Sequence, residues 1–125
     1  MLDHISFGVG NLARAARFYD AALLPLGIVR VWTVATAVGY GEPGQGDRLA
    51  LKERVDAVRP GPGFHVAFAA PDEVAVDAFY AAALSFGGTD AGPPGLRPHY
   101  GQHYYAAFVI DPDGHRVEAV FHGGA

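Results

Sequence analysis

Three side chains have the types and placement to hold a divalent metal: His4, His65 and Glu118. Imidazole is the commonest side-chain ligand for such ions. The two histidines occupy equivalent places in an internal repeat. Set without gaps, His4–Gly27 over His65–Gly88 aligns Phe7 with Phe68, Phe18-Tyr19 with Phe79-Tyr80, and Ala21-Ala22-Leu23 with Ala82-Ala83-Leu84. A lone histidine on a half-buried strand is ordinarily a satisfied polar group, but a pair placed symmetrically by a repeat points to shared ligation. Glu118 interrupts an apolar run, Val117 to Phe121. A carboxylate there is costly unless it meets a cation or a metal, and Arg116 is the alternative partner. Two imidazoles and one carboxylate leave open positions on an octahedral ion, where substrate oxygens could bind and be polarised.

The repeat also defines the elements that must position these ligands. Each copy begins as a strand: His4, Ser6 and Gly8 alternate with Ile5, Phe7 and Val9, as His65, Ala67 and Ala69 do with Val66, Phe68 and Ala70. The apolar side suits a covering helix, and the other side carries the histidine. Helices are predicted from about Leu12 to Leu24 and from about Glu73 to Phe86, capped by Asn11 and Asp72 and stopped by Gly27 and Gly88. Strand patterns follow at 28–36, 37–40 and 48–52, with a hairpin loop at 41–46. In the second copy they follow at 88–90, 104–110 and 115–121, the last two flanking the turn Asp111-Pro112-Asp113-Gly114. The fold class read from this is α+β: two tandem βαβββ modules whose curved, mixed sheets form a cupped, barrel-like cavity. Residues 1–125 form a single domain, with module one at about 1–58, module two at about 63–122, and a hinge at Arg59–Gly63.

If Glu118 faces the cavity, the paired strand sends Tyr104, Ala106 and Phe108 to the same side. Tyr104 could act as an acid or donate to a metal-bound oxyanion, or could be a rim aromatic. Phe108 reads equally as substrate wall and as core. The stretch Ala91–His103 reads as a long loop of the kind that often binds or covers ligands. Its Arg97, His99 and His103 could supply an anion contact or a general base, or could be surface residues without a role. Ser6 shares the face of His4. Trp32 and Tyr40 are cavity walls in the functional reading and core residues otherwise.

Composition narrows the classes. The 125 residues are half apolar, enough for a packed core, and no apolar run is long enough to span a bilayer. The first residues lack the basic-then-apolar pattern of a secretory signal. The absence of cysteine excludes disulfides and thiolate ligands, and the expectation is a cytoplasmic protein. A formal net charge of −4 with scattered arginines argues against nucleic acid or an anionic membrane as partner.

The sequence resembles the vicinal oxygen chelate superfamily, which includes glyoxalase I, extradiol dioxygenases, fosfomycin-resistance thiol transferases and bleomycin-binding proteins. The resemblance covers nearly the whole chain and is carried by Asp3-His4-Ile5, Phe18-Tyr19-Asp20, Leu26-Gly27, Phe64-His65-Val66-Ala67-Phe68 and, most specifically, Asp111-Pro112-Asp113-Gly114-His115-Arg116-Val117-Glu118. It implies metal ligands at His4, His65 and Glu118, one divalent ion (Fe, Mn, Ni, Zn or Co), a small-molecule substrate, and a homodimer in which His4 of one chain could share a metal with His65 and Glu118 of the other. Glyoxalase I has a further glutamate ligand on the last strand of its first module. Here that position falls near Ala50 or Leu51, and Glu53 would serve only after a register slip. Without that glutamate the ligand set looks instead like that of the thiol transferases and the dioxygenases; the label that the resemblance as a whole implies is glyoxalase-like lyase or isomerase chemistry on an oxygen-rich, chelating substrate. An Fe(II) extradiol-type dioxygenase, a fosfomycin-type thiol transferase and a non-catalytic bleomycin-type binding protein are the alternatives.

Overall fold

The strand-then-helix unit that occurs twice in the sequence folds twice. The computed structural model describes residues 1–123. The first unit comprises β1 (Ile5–Val9), α1 (Leu12–Leu23), a 3-10 turn at Leu24–Leu26, β2 (Val29–Val34), β3 (Ala37–Gly41) and β4 (Leu49–Glu53). The second comprises β5 (Val66–Ala69), α2 (Glu73–Ser85), β6 (Thr89–Leu96), β7 (Tyr104–Ile110) and β8 (Arg116–His122). Each builds one four-stranded mixed sheet, in the orders β1-β4-β3-β2 and β5-β8-β7-β6. In both, the first strand runs parallel to the last and the remaining pairs are antiparallel. The fold is α+β, two βαβββ modules with curved, unclosed sheets.

The helices begin where the sequence predicts. Asn11 Oδ1 accepts from Arg14 N at 2.9 Å, and Asp72 Oδ1 accepts from Ala75 N at 2.8 Å, each satisfying a backbone donor that the helix leaves open. The two stop glycines differ in role. Gly27 adopts φ 80°, the left-handed conformation that glycine adopts without strain. Gly88 is instead a contact point: a Cβ there would lie 2.7 Å from the Phe18 ring and 2.8 Å from Ala83 O, so it lets the end of α2 close onto α1.

One element departs from expectation. The segment from Ala91 is not a long loop, because β6 continues to Leu96 and leaves only 97–103 as connection. Its Gly and Pro content disguised it. The pairing with β7 breaks register twice, between Asp90 and Gly92 and between Gly92 and Gly95, as suits a bulged edge strand that tolerates proline.

Both helices cover one face of the sheets. Phe7, Val9, Val38, Tyr40, Leu49 and Leu51 from the first sheet and Ala107, Val109, Val117 and Ala119 from the second meet α1 and α2 in one core. The modules are joined through the turn at Asp111. Tyr19 Oη, on α1, donates to Asp111 Oδ2 at 2.5 Å, and His115 Nδ1 donates to the same oxygen at 2.8 Å. Asp111 Oδ1 accepts the backbone N–H groups of Asp113 and His115, each at 2.9 Å. The His115 ring stacks on Phe7 of β1 at 4.3 Å with an interplanar angle of 9°. Asp113 Oδ1 reaches across to Gly10 N at 2.9 Å and to the Arg14 guanidinium at 3.1 Å.

These contacts set two expectations. Tyr19→Phe removes one hydrogen bond to a buried carboxylate and should cost about 1–3 kcal/mol in urea unfolding, with Asp111→Ala, which strands four donors, costing more. An Asp111→Ala cost below about 0.5 kcal/mol, the usual range of surface substitutions, would contradict this role. The second expectation concerns alkaline pH. Burial and the Asp111 charge hold the Tyr19 phenol well above its ordinary value, and the hydrogen bond to Asp77, at 2.6 Å, pushes the Tyr105 phenol up to about 12. A raised phenol pKa stabilises the fold fully below the unfolded value of about 10 and loses that contribution as pH rises through the folded value. Stability should therefore fall above about pH 10 and more steeply toward 12, with tyrosinate absorbance lagging behind free tyrosine until unfolding. Tyrosinate absorbance that follows free tyrosine in the folded protein would contradict it.

Candidate functional site

The candidate site is built on the face of the second sheet that points away from the helices. Register fixes who stands there. Glu118 pairs with Ala67 on one side and Phe108 on the other, and Phe108 pairs with Gly92. His65 immediately precedes β5, so alternation places it on the face of Ala67 and Ala69. The same alternation puts Tyr104, Ala106 and Phe108 of β7 beside Glu118, with Tyr105, Ala107 and Val109 on the helix side, as the sequence pattern predicts.

Glu118 is fully buried. His65 Nε2 lies 2.5 Å from Glu118 Oε1, and the Tyr104 hydroxyl donates to Oε2. Arg116, the alternative partner, makes no ion pair with Glu118. The His65 side chain is 45% exposed while that of Glu118 is 0% exposed, so the carboxylate forms the floor and the imidazole the edge of the arrangement. Burial and the adjacent Glu118 raise the Tyr104 phenol pKa, which keeps its proton on the oxygen. A pocket of about 190 Å³ opens on this face, lined by His65, Tyr100, Phe108 and Arg116 among others.

The first sheet carries the equivalent row in different chemistry. Ser6 pairs with Ala50, Ala50 with Gly39, and Gly39 with Trp32. Ala50 thus stands where Glu118 stands in the second module, and Leu51 faces the core. The Trp32 ring lies over Gly39, where a Cβ would come within 2.2 Å of it. In the second sheet the aromatic and the glycine have changed strands, with Phe108 lying against Gly92. Glu53 is occupied elsewhere: its Oε2 accepts Leu12 N at 2.9 Å and so caps α1. His4 is exposed. Its Nδ1 bonds Asp3 Oδ2 at 2.8 Å, a bond that lowers the Asp3 carboxyl pKa.

Among the described residues of one chain, no three His, Asp or Glu side chains converge as a metal-holding group. His65 and Glu118 meet; His4 belongs to the other module and does not join them. Several other sequence-predicted residues lie elsewhere. Tyr40 is no cavity wall: it is fully buried against α1, its hydroxyl donating to Ala16 O at 3.2 Å and to Asp20 Oδ1 at 2.8 Å. Arg97 is a brace, donating to Gly95 O and Pro93 O and resting 5.4 Å from the Phe108 ring centroid. His99 and His103 are exposed on the 97–103 connection, with His99 against Tyr100 at 4.2 Å. Ser6 is exposed on the face of His4. Tyr100 and Arg116 line the pocket although sequence reasoning gave them no site role. Arg116 was recoverable from its spacing of two from Glu118, whereas Tyr100 reaches the pocket only through the path of the connection.

The profile of the Glyoxalase/Bleomycin resistance protein/Dioxygenase superfamily matches residues 1–119, and the chain belongs to this superfamily. Its fold is similar to that of a glyoxalase/bleomycin resistance protein from Albidiferax ferrireducens T118, at 31% identity and a TM-score of 0.83, covering 97% of this chain and 98% of that one. A glyoxalase-related enzyme from Fulvimarina pelagi is 27% identical with a TM-score of 0.74, over 97% of this chain and 87% of the other. A glyoxalase/bleomycin resistance protein/dioxygenase family enzyme from Burkholderia phytofirmans PsJN shares the fold at 15% identity and a TM-score of 0.74, over 98% of both chains. No curated protein matches the chain. No helix among the described residues is long and apolar enough to cross a membrane.

A buried carboxylate kept for chemistry should be dispensable for folding. Glu118→Met removes a desolvated charge, and both of its partners are partly open to water. Its thermal midpoint should equal or exceed that of the parent chain. A loss of more than about 3 kcal/mol would make Glu118 a structural residue instead.

Proposed function

We propose that the protein is a metal-dependent, glyoxalase-like enzyme acting on a small oxygen-rich substrate that chelates a divalent ion. The ligands in this reading are His65 and Glu118 of one chain and His4 of a second copy. The observation that carries it is the pairing of His65 Nε2, at the wall of an open pocket, with a fully buried Glu118 carboxylate. The donor set fits a divalent cation: imidazole nitrogen and carboxylate oxygen are its ordinary ligands. A homodimer would complete the set: His4 is exposed, and among the described residues no third ligand of the same chain joins the pair.

A bound divalent cation supplies Lewis acidity to substrate oxygens. The chain's own residues then have separate tasks. His65, at the pocket wall and paired with the buried Glu118, orients the substrate. Tyr104 holds a proton at its hydroxyl, next to Glu118 Oε2, where it can donate to developing negative charge. Phe108 and Tyr100 exclude water from one side.

A second reading is favoured by Ala50. With no carboxylate from the first module, the ligands reduce to two histidines and one glutamate, the facial set of non-haem Fe(II) oxygenases. Oxygen uptake with catechols by the iron-loaded protein separates this reading from the lyase.

Mixed dimers test the shared site. His4→Ala and His65→Ala homodimers should each lose the metal. Refolding the two together should restore about half of the wild-type metal content in the mixed species, because one of its two sites then regains every ligand. Metal retained by the His4→Ala homodimer at the wild-type level would remove His4 from the set.

A further inference from the structure

We propose that Arg59 and Arg116 form an oxyanion-binding pocket beside the His65–Glu118 pair, and that the ligand is anchored there by a carboxylate or a phosphate. The two arginines come from the inter-module linker and the start of β8. They line one pocket of about 280 Å³, whose remaining lining includes Pro60, Pro62, Phe64 and Ile110 and no acidic side chain.

Their lack of partners sets them apart. Arg14, Arg30, Arg48 and Arg54 each pair with a carboxylate, and Arg17 and Arg97 rest over phenylalanine rings. Among the described residues, Arg59 and Arg116 have neither kind of partner, in a chain whose formal net charge is −4. Two like charges brought to one concave, partly apolar site repel one another unless an anion joins them. The guanidinium fork matches a carboxylate or phosphate through paired hydrogen bonds.

Arg59 is also held in place. A Cβ on Gly114 would lie 2.4 Å from Arg59 Nε and 3.0 Å from its Cγ, so the side chain lies flat across the glycine of the Asp111 turn. The prolines on either side of Gly61 stiffen the linker that presents it.

Arg116 is the wall shared with the His65 pocket, which it also lines. It stands two residues before Glu118 on the same face of β8. An anion bridging Arg59 and Arg116 would direct the rest of a short ligand toward His65. Both pockets fall below the roughly 300–1,000 Å³ of drug-sized sites, so the ligand is a small anionic molecule. Anion binding needs only the arginine pair; assigning the anion as the substrate's anchor rests on His65 and Glu118 being the reaction centre.

The test is an NMR titration of metal-free, dialysed protein with inorganic phosphate and, separately, malonate, at fixed ionic strength. The Arg59 and Arg116 Nε–H signals and the Gly114 amide should shift saturably with at least one probe, and which probe succeeds identifies the headgroup. Arg59→Gln and Arg116→Gln should each weaken binding about ten-fold, the loss of one charged hydrogen-bonding partner. Arg54→Gln, which alters a solvent-exposed pair with Asp56, and His65→Ala should leave it unchanged. Shifts that never saturate, or that fall equally in Arg54→Gln, would reduce the effect to charge screening and overturn the proposal. Loss of binding in His65→Ala as large as in Arg59→Gln would place the anion on the histidine and overturn it too. A metal titration of the same samples reports the reaction centre independently: no metal binding beside intact anion binding removes the substrate assignment and leaves the pocket standing.

Discussion

The Asp111 carboxylate accepts four hydrogen bonds inside the protein, and the relation between the two modules depends on it. Two of its donors belong to its own turn, at Asp113 N and His115 N, one is the His115 ring, and the last is Tyr19, far away in sequence on α1. A carboxylate removed from water is tolerated only when its lone pairs are filled, and here each oxygen takes two donors. The turn thereby fixes the start of β8 and the His115 ring, which stacks on Phe7 of β1. Position Glu118 follows three residues later, so the geometry of the candidate site is inherited from a contact between modules. Glu118 is buried as deeply but on other terms. Its two partners, His65 beside β5 and Tyr104 on β7, are partly exposed, an arrangement suited to exchanging a hydrogen bond for a metal or a substrate.

Comparison of the two sheets explains why the repeat does not produce two equal sites. The rows Ser6-Ala50-Gly39-Trp32 and Ala67-Glu118-Phe108-Gly92 are equivalent position by position. Each contains one aromatic ring lying on one glycine, with the strands exchanged. In the first sheet the ring fills the face beside a small alanine, and in the second it stands next to a carboxylate. The first module therefore contributes a histidine and a wall, and the second a histidine and the acid. In the proposed ligand set, one module of each kind meets the other across two copies of the chain.

Much of this was legible in the sequence because it is periodic. The ungapped repeat, the caps at Asn11 and Asp72, and the alternation that sends Tyr104, Phe108 and Glu118 to one face are local signals, and the structure follows them. The failures share a cause: tertiary contacts outweigh local pattern. The Gly- and Pro-rich segment from Ala91 reads as loop, yet pairing with β7 makes it, as far as Leu96, a bulged edge strand. Tyr40, paired with Leu49, stands on the core face, where its hydroxyl is held by Ala16 O and Asp20. Arg97 is spent on its own strand's carbonyls, while Arg59, in an unremarkable linker, gains a defined position only because Gly114 lies beneath it. The repeat places His4 and His65 on the first strands of separate modules, and the structure has them on different sheets.

The central claim is that one metal is bound by histidines of two copies together with one glutamate. Pulsed electron paramagnetic resonance of the Mn(II)-loaded protein counts the imidazole nitrogens coupled to the ion. The account predicts two in the parent chain and no protein-bound ion in His4→Ala. A single coupled imidazole in both would show that His4 takes no part and that the site lies within one chain.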